Sequence, residues 1–426
     1  MNRFAIASAC ASLVVILVSA AACSSNDSPG KTNVTVGGAT GIAIVNSDYM
    51  STSISLFDPA KAALTFDDCI NSTTAATSLS LSLSGDVVLP SAAQPGHELL
   101  IIDRFNAALT WLEPTTCTVK RQFSVGTGFP SDPHDVVALS ATKAYVTRYE
   151  KNPKPTDDPA DNDEGDDILI INPTDGTISG RIDLAPFAGK VTAPATPGTD
   201  TAAADVTVSA RPGRALLIDG NVYVALDNLA ADFSAAADGR ILVIDPAADT
   251  VSGMIDLPGL KGCGGLASVP DSKTLVVTCV GDFNAPVQID GSAIVAIDLG
   301  VSPPAIKSKL GAAVFGGQPL SADAGGALSA TTGLAVSLGT LKKAPPDRLW
   351  SYDMEAGTVT QLKEASDSFV YGALLLDSAG KQLFLTDGAK ETPRLHVIDV
   401  SGAPTVKTSV DANPAHGLPP RSLGWY

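Results

Sequence analysis

Apolar residues in this chain fall into short runs broken by turn residues, and the clearest unit spans residues 211–257. There RPGRALLIDGNVYVALDN, a loop and GRILVIDPAADTVSGMIDL read as four strands. Residues 215–218 are an apolar run, Asp219-Gly220-Asn221 turns the chain, and residues 222–226 run back. Residues 240–244 form a third strand, Asp245-Pro246 reverses it, and residues 250–257 alternate outward as a fourth. β-branched runs separated by Asp, Asn, Gly and Pro are the mark of consecutive hairpins. One four-stranded sheet cannot bury both of its faces, so copies must stack.

The turn after the third strand recurs seven times: Leu56-Phe57-Asp58-Pro59, Trp111-Leu112-Glu113-Pro114, Ile170-Ile171-Asn172-Pro173, Val243-Ile244-Asp245-Pro246, Ala296-Ile297-Asp298-Leu299, Ser351-Tyr352-Asp353-Met354 and Val397-Ile398-Asp399-Val400. The side-chain oxygens of these residues suit backbone N–H groups in a tight turn, a structural role and not a catalytic one. The paired first and second strands repeat less evenly, at residues 135–147, 214–226, 265–279 and 372–386. Residues 86–89 and 98–103 supply them in the second copy, and residues 332–338 are the core of the sixth. The chain's ends complement each other. Residues 41–46 resemble a second strand with no first, and residues 418–426 a first strand with no second. The expected architecture is all-β: seven four-stranded antiparallel sheets in a ring that the C-terminal strand closes by completing the N-terminal sheet.

The first residues read as an address. Met1-Asn2-Arg3 is basic, residues 4–18 are apolar, and Ser19-Ala20-Ala21-Ala22 precede Cys23. This resembles a bacterial lipoprotein signal, with Ala20 where leucine is usual, so residues 1–22 are expected to be removed and Cys23 acylated. Residues 23–40 then form a flexible tether and residues 41–426 the ring. Several acyl chains hold a protein on a membrane where one binds only marginally. Ser24 after the cysteine favours the outer membrane, placing the chain in the cell envelope. The chain carries 28 basic and 45 acidic residues, a surface that repels phosphate backbones, so nucleic acid is not expected as a partner. A monomer is expected.

Ala144-Tyr145-Val146-Thr147-Arg148, echoed at Val222-Tyr223-Val224-Ala225, resembles the YVTN motif of seven-bladed β-propellers of bacterial periplasmic and archaeal surface proteins. Arginine replaces asparagine at its last position. The resemblance covers nearly everything after residue 40 and implies a propeller, whose relatives include lactonases, lyases, quinoproteins and pure binding modules. It does not choose among them.

In such a ring, first-strand starts and second-strand ends lie on one face, where the long insertions also fall (residues 149–166, 185–209, 228–239, 281–291, 311–326 and 339–347). A partner or ligand, an envelope protein or a small molecule, is expected there. His134 and Asp135 open one first strand, Arg211 and Arg214 another, Tyr371 a third and Arg421 the last; Arg148, Asp227, Asp282 and Asp387 leave second strands. His134, Asp135, Arg148, Arg214, Tyr371 and Arg421 are therefore the candidates for a polar site at the channel mouth. The alternative is that these groups only satisfy one another and the loops. Asp157, Asp158, Asp161, Asp163, Asp166 and Asp167 form an acidic loop that could hold calcium or simply be solvated; its spacing is not that of an EF-hand. No other cofactor is indicated. Cys263 and Cys279 flank the Pro270-Asp271-Ser272 turn evenly and are expected to be bonded in an oxidising compartment. Cys69 and Cys117 then pair by arithmetic, although the alignment of their blades points them to opposite faces.

Three functions remain open. Non-enzymatic binding or scaffolding through the loop-rich face leads, followed by a lactonase-like hydrolase or lyase with its site in the channel. A quinoprotein-like redox enzyme is weakest: Trp111, Trp350 and Trp425 form no repeat, and no c-type haem motif occurs.

Overall fold

The computed structural model describes residues 40–193, 204–269, 272–283, 288–339, 345–377 and 381–426; the leader, Cys23 and the tether lie outside them. The described residues form a seven-bladed β-propeller of four-stranded antiparallel sheets. Blade 1 is closed by the C-terminus: Pro420–Trp425 pairs with Ile42–Ser47 from Ile42↔Trp425 to Val45↔Ser422. Blades 2 to 7 follow in chain order, each running from the channel to the rim. Their innermost strands are Val87–Val88, Pro133–Ser140, Pro212–Ile218, Gly265–Ser268, Leu320–Ala327 and Tyr371–Leu376.

The core explains the sequence pattern. Each blade is covered on both faces, so its second and third strands are apolar at nearly every position instead of alternating. In Ile42–Ser47, Ile42 and Ile44 pack with Phe384 and Val397 of blade 7, while Ala43 and Val45 pack with Leu99 and Ile101 of blade 2. Seven such apolar clusters occupy the seven blade-to-blade interfaces. Fourth strands meet solvent and do alternate, as in Thr250–Leu257. The tyrosine of the Ala144–Arg148 motif is part of this packing. Tyr145 donates its hydroxyl to Asp249 in the last turn of blade 4, and Lys143 pairs with the same carboxylate at 2.7 Å.

Two insertions hold more structure than expected. Residues 185–209 contain an antiparallel pair, Lys190–Ala193 with Ala204–Thr207. Residues 311–326 are not one loop, because the innermost strand of blade 6 begins at Leu320.

Both cysteine pairs are bonded in this structure. Cys263 and Cys279 join at a Cα separation of 3.8 Å, beside Gly239, where a Cβ would strike the Cys263 sulfur. Cys69 and Cys117 join at 5.2 Å, tying the rim of blade 1 to blade 2. The blade alignment pointed this second pair apart. It missed that Cys117 sits in a turn with a left-handed backbone, which swings its side chain out of the strand alternation.

Candidate functional site

The innermost strands lose their ladder register at the loop-rich end. Shifts occur at Pro133/Asp135, Pro212/Ala215, Leu320/Gly325 and Tyr371/Leu374, and where Pro420–Trp425 meets Val45/Asn46. A bulge frees a residue from the ladder and re-aims its side chain. The freed segments contain His134, Arg214, Asp323 and Arg421, and all four line one cavity of about 330 Å³ together with Asp86, Arg104, Asp227 and Tyr371. Below it the channel continues as a chamber of about 160 Å³, where Leu89, Leu216, Leu266, Leu374 and Leu423 alternate with Ser91, Ser268 and Ser422. Arg214 and Asp323, 3.3 Å apart, line both chambers.

His134 is held on two sides. Its Nε2 faces an Asp132 oxygen at 3.3 Å, and its ring stacks on Tyr149 at 4.2 Å with a 4° tilt. Tyr149 in turn donates its hydroxyl to Asp227 at 3.0 Å. Arg211 lies over Tyr149's ring at 4.9 Å and pairs with Glu150 at 2.6 Å, so this buried arginine positions the stack. Gly264 lies beside it, and a Cβ there would come within 2.9 Å of an Asp227 carboxylate oxygen and displace it.

Electrostatics separates the acids. Burial alone would raise Asp132, but the hydrogen bond and charge of His134, with Arg104 and Arg211, hold its pKa below the usual carboxylate value. Burial likewise works against ionised Asp323, yet Arg214 and Arg104 keep it low. Its side chain is 63 % accessible, but to channel water inside a wall of protein. Asp227 goes the other way: burial raises it despite His134 and the Tyr149 hydroxyl. Buried Tyr149 and Tyr371 are also pushed up and stay protonated. Environments that drive neighbouring pKa values apart assign acid and base roles. Of the two carboxyls around His134 and Tyr149, Asp132 is therefore the stronger acid and Asp227 the weaker.

A stability consequence follows for Asp227. Its folded pKa lies above the unfolded value, so the stability it contributes is complete below the unfolded pKa and is lost as pH rises through the folded one. Asp227→Asn is therefore expected to raise the thermal midpoint at pH 7 and to have no effect near pH 3. Equal effects at both would contradict the raised pKa.

No protein-family model matches the chain, and no curated protein matches it in sequence. Solved structures do match in shape. A hypothetical selenium-binding protein from Sulfolobus tokodaii superposes with TM-score 0.56 at 9 % identity, over 92 % of this chain and 94 % of that one. A candidate 6-phosphogluconolactonase from Bacteroides fragilis gives 0.52 at 11 %, over 93 % and 100 %. A second, from Bacteroides uniformis, gives 0.51 at 13 %, over 91 % and 100 %. At these identities the likeness is one of fold.

Of the residues expected at the mouth, His134, Arg214, Tyr371 and Arg421 line the cavity and Asp135 and Arg148 do not. Asp135 is buried between blades, accepting from Ser91, Val136 and the Ala215 amide. Arg148 is wholly buried against Asp167 at 2.6 Å. Strand position was right in both cases, but side-chain direction differed because neither residue is the one freed by a bulge. Asp227 joins the site, whereas Asp387 pairs with His396 inside blade 7 at 3.0 Å.

The six acids of the loop do not converge. Asp167 serves Arg148, Asp166 accepts the Ala210 and Arg211 amides, and Asp163 accepts from Asn152 and Thr156. Asp158 caps a short helical turn, Asp161 bonds Thr156, and Asp157 joins no cluster. Among the described residues no group of three or more acids, histidines or cysteines is placed to share a metal ion.

Asp86, Arg104, Asp132, Tyr149 and Asp323 were not anticipated. The strand-start and strand-exit rule should have caught Asp86, Arg104 and Tyr149. Asp323 was hidden in Ser321-Ala322-Asp323-Ala324-Gly325-Gly326, which has no strand-like composition.

Proposed function

We propose that the channel mouth is the active site of a hydrolase or lyase acting on a small, oxygen-rich molecule, with the lactone of a sugar acid as the simplest fit. The observation that carries this reading is His134, braced by Asp132 and stacked on the Tyr149–Asp227 pair, in a cavity lined by guanidinium groups. The propeller shape it shares with two candidate 6-phosphogluconolactonases is compatible with that chemistry without establishing it. In the proposed step His134 takes a proton from water, and the water oxygen bonds to the lactone carbonyl carbon. Arg104 or Arg214 faces the oxyanion. The ring C–O bond then breaks, and the departing alkoxide takes the proton of Asp227, leaving a hydroxy acid.

The test is proton release from a panel of aldonolactones. Wild-type protein is expected to accelerate ring opening, with His134→Ala about 10²–10⁴-fold slower. An alkaline fall in rate that tracks Asp227 should vanish in Asp227→Asn. Indistinguishable rates for wild type, His134→Ala and buffer would overturn the reading.

Non-enzymatic recognition is the second reading, favoured by an open cleft of about 1030 Å³ lined by Phe129, Glu150, Lys151 and Lys154 on the loop-rich side. Deleting residues 151–166 is not a clean test of it, because Asp166 and the Asn162 carbonyl are built into the core network. Lys151→Glu with Lys154→Glu is the better variant.

Kinship with YVTN-repeat propellers, export, acylation at Cys23 and outer-membrane anchoring are part of the same proposal. The leader and the Ala144–Arg148 motif support them.

A further inference from the structure

The three arginines lining the mouth are not equivalent. Arg104 faces Asp86 through Nε at 2.9 Å and lies 3.9 Å from Asp132, and Arg214 faces Asp323 at 3.3 Å. Arg421 has no such counter-charge among the described residues. It donates to two main-chain carbonyls, Ser47 at 3.2 Å and Phe369 at 3.5 Å, and its guanidinium lies over the Tyr49 ring at 4.9 Å. In a chain of net charge −17, a lining arginine held only by carbonyls and a ring face is a cation kept for something outside the protein.

The walls beside it carry an independent signal. Tyr49 and Phe369 both line the cavity, and both stay exposed, at 63 % and 41 %. Both also adopt a left-handed backbone, with φ of 68° and 59°. Bulky side chains take that conformation at some cost, and elsewhere in this chain turn residues such as His97 and Phe233 carry it too. Burial does not account for two aromatic residues at these positions. A flat ligand face stacking on them would, as aromatic rings do on apolar ring faces.

We infer that Arg421 is the docking point for the carboxylate of a ring-bearing acid, with Tyr49 and Phe369 as the walls that hold the ring. The inference rests on the mouth being the ligand site, as proposed above, but not on turnover there. One unpaired guanidinium matches one negative charge, which favours a sugar carboxylate over a doubly charged sugar phosphate. It also joins the ligand to the closing strand, so an occupied mouth bridges the two chain ends.

Calorimetric titration with glucuronate, galacturonate, glucose and glucose 6-phosphate tests this. A uronate is expected to bind wild-type protein at least 10-fold more tightly than glucose or glucose 6-phosphate. Arg421→Gln should reduce uronate binding to the level of glucose, and Arg421→Lys should recover part of it. Tyr49→Gly and Phe369→Gly supply the control for folding: relief of the left-handed strain should hold or raise the thermal midpoint while uronate binding falls several-fold. Tighter binding of the phosphate, equal binding of glucose, no uronate binding at all, or unchanged affinity in Arg421→Gln would each overturn the assignment. Arg421-dependent uronate binding without lactone turnover would sink the hydrolase reading alone. Lactone turnover by wild-type protein without Arg421-dependent uronate binding would sink only this one.

Discussion

Removing residues 418–426 is expected to abolish the cooperative fold and not merely shorten blade 1. The strand it deletes is the innermost of that blade, paired along Ile42–Ser47. Leu423 and Tyr426 are buried. Trp425 meets Phe384 of blade 7 edge-on at 6.1 Å and donates its indole N–H to the Leu376 carbonyl at 3.1 Å. Tyr426 packs so closely on Gly41 that a Cβ there would overlap its ring. Deletion therefore empties parts of two interfaces and leaves a strand edge unpaired in the channel. Each large buried side chain lost costs about 2–5 kcal/mol, and together they approach the roughly 5–15 kcal/mol that stabilises a domain. Denaturant titration should show a sharp transition for the full chain and none for the truncated one. A single unchanged midpoint and slope would mean that the ring does not depend on this closure. Trp425→Ala is the graded version, expected to cost about 3 kcal/mol.

The ring was legible because its physics is periodic. A second strand covered on both faces must be apolar at successive positions, as in Leu275-Val276-Val277, and the exit of the third strand needs a side-chain acceptor, as Asp298 and Asp399 provide. Repetition also exposed the two incomplete ends. The site was legible only in part because it depends on where the repeat fails. His134 and Arg421 could be placed at strand starts, but the bulges that turn them into the channel leave no compositional trace. Asp323 sits in an alanine- and glycine-rich strand, in the stretch between Leu320 and Gly325 that has left the ladder. Asp135, next to His134, shows how fine the distinction is. One position along the same strand, a carboxylate changes from cavity lining to interior staple.

Arg148, the residue that departs from the YVTN pattern, is expected to prove structural. Its guanidinium is fully buried, makes two contacts of 2.7 and 2.6 Å with Asp167, and donates to the Asn162 carbonyl at 2.7 Å and the Thr127 hydroxyl at 2.6 Å. Arg148→Met keeps the volume but removes the buried Asp167 carboxylate's two closest donors, while the Asn162 carbonyl keeps the Thr127 hydroxyl at 2.9 Å. Such a break costs about 3–5 kcal/mol, and the lower figure applies here because Arg181 reaches Asp167 from the other side at 3.6 Å. Burial already raises Asp167 even with Arg148 in place. A raised carboxyl favours the fold fully below its unfolded pKa and loses that contribution as pH rises through the folded value. The deficit of Arg148→Met should therefore be small near pH 4 and grow toward pH 7. Adding Asp167→Leu should recover most of it, since an apolar pair of similar volume replaces a buried ion pair at little or no net cost. Uronate binding should be retained in the double variant, because neither residue lines the cavity. A single variant as stable as wild type at pH 7, or a double variant no better than the single, would show that the pair does not hold this loop to the blade.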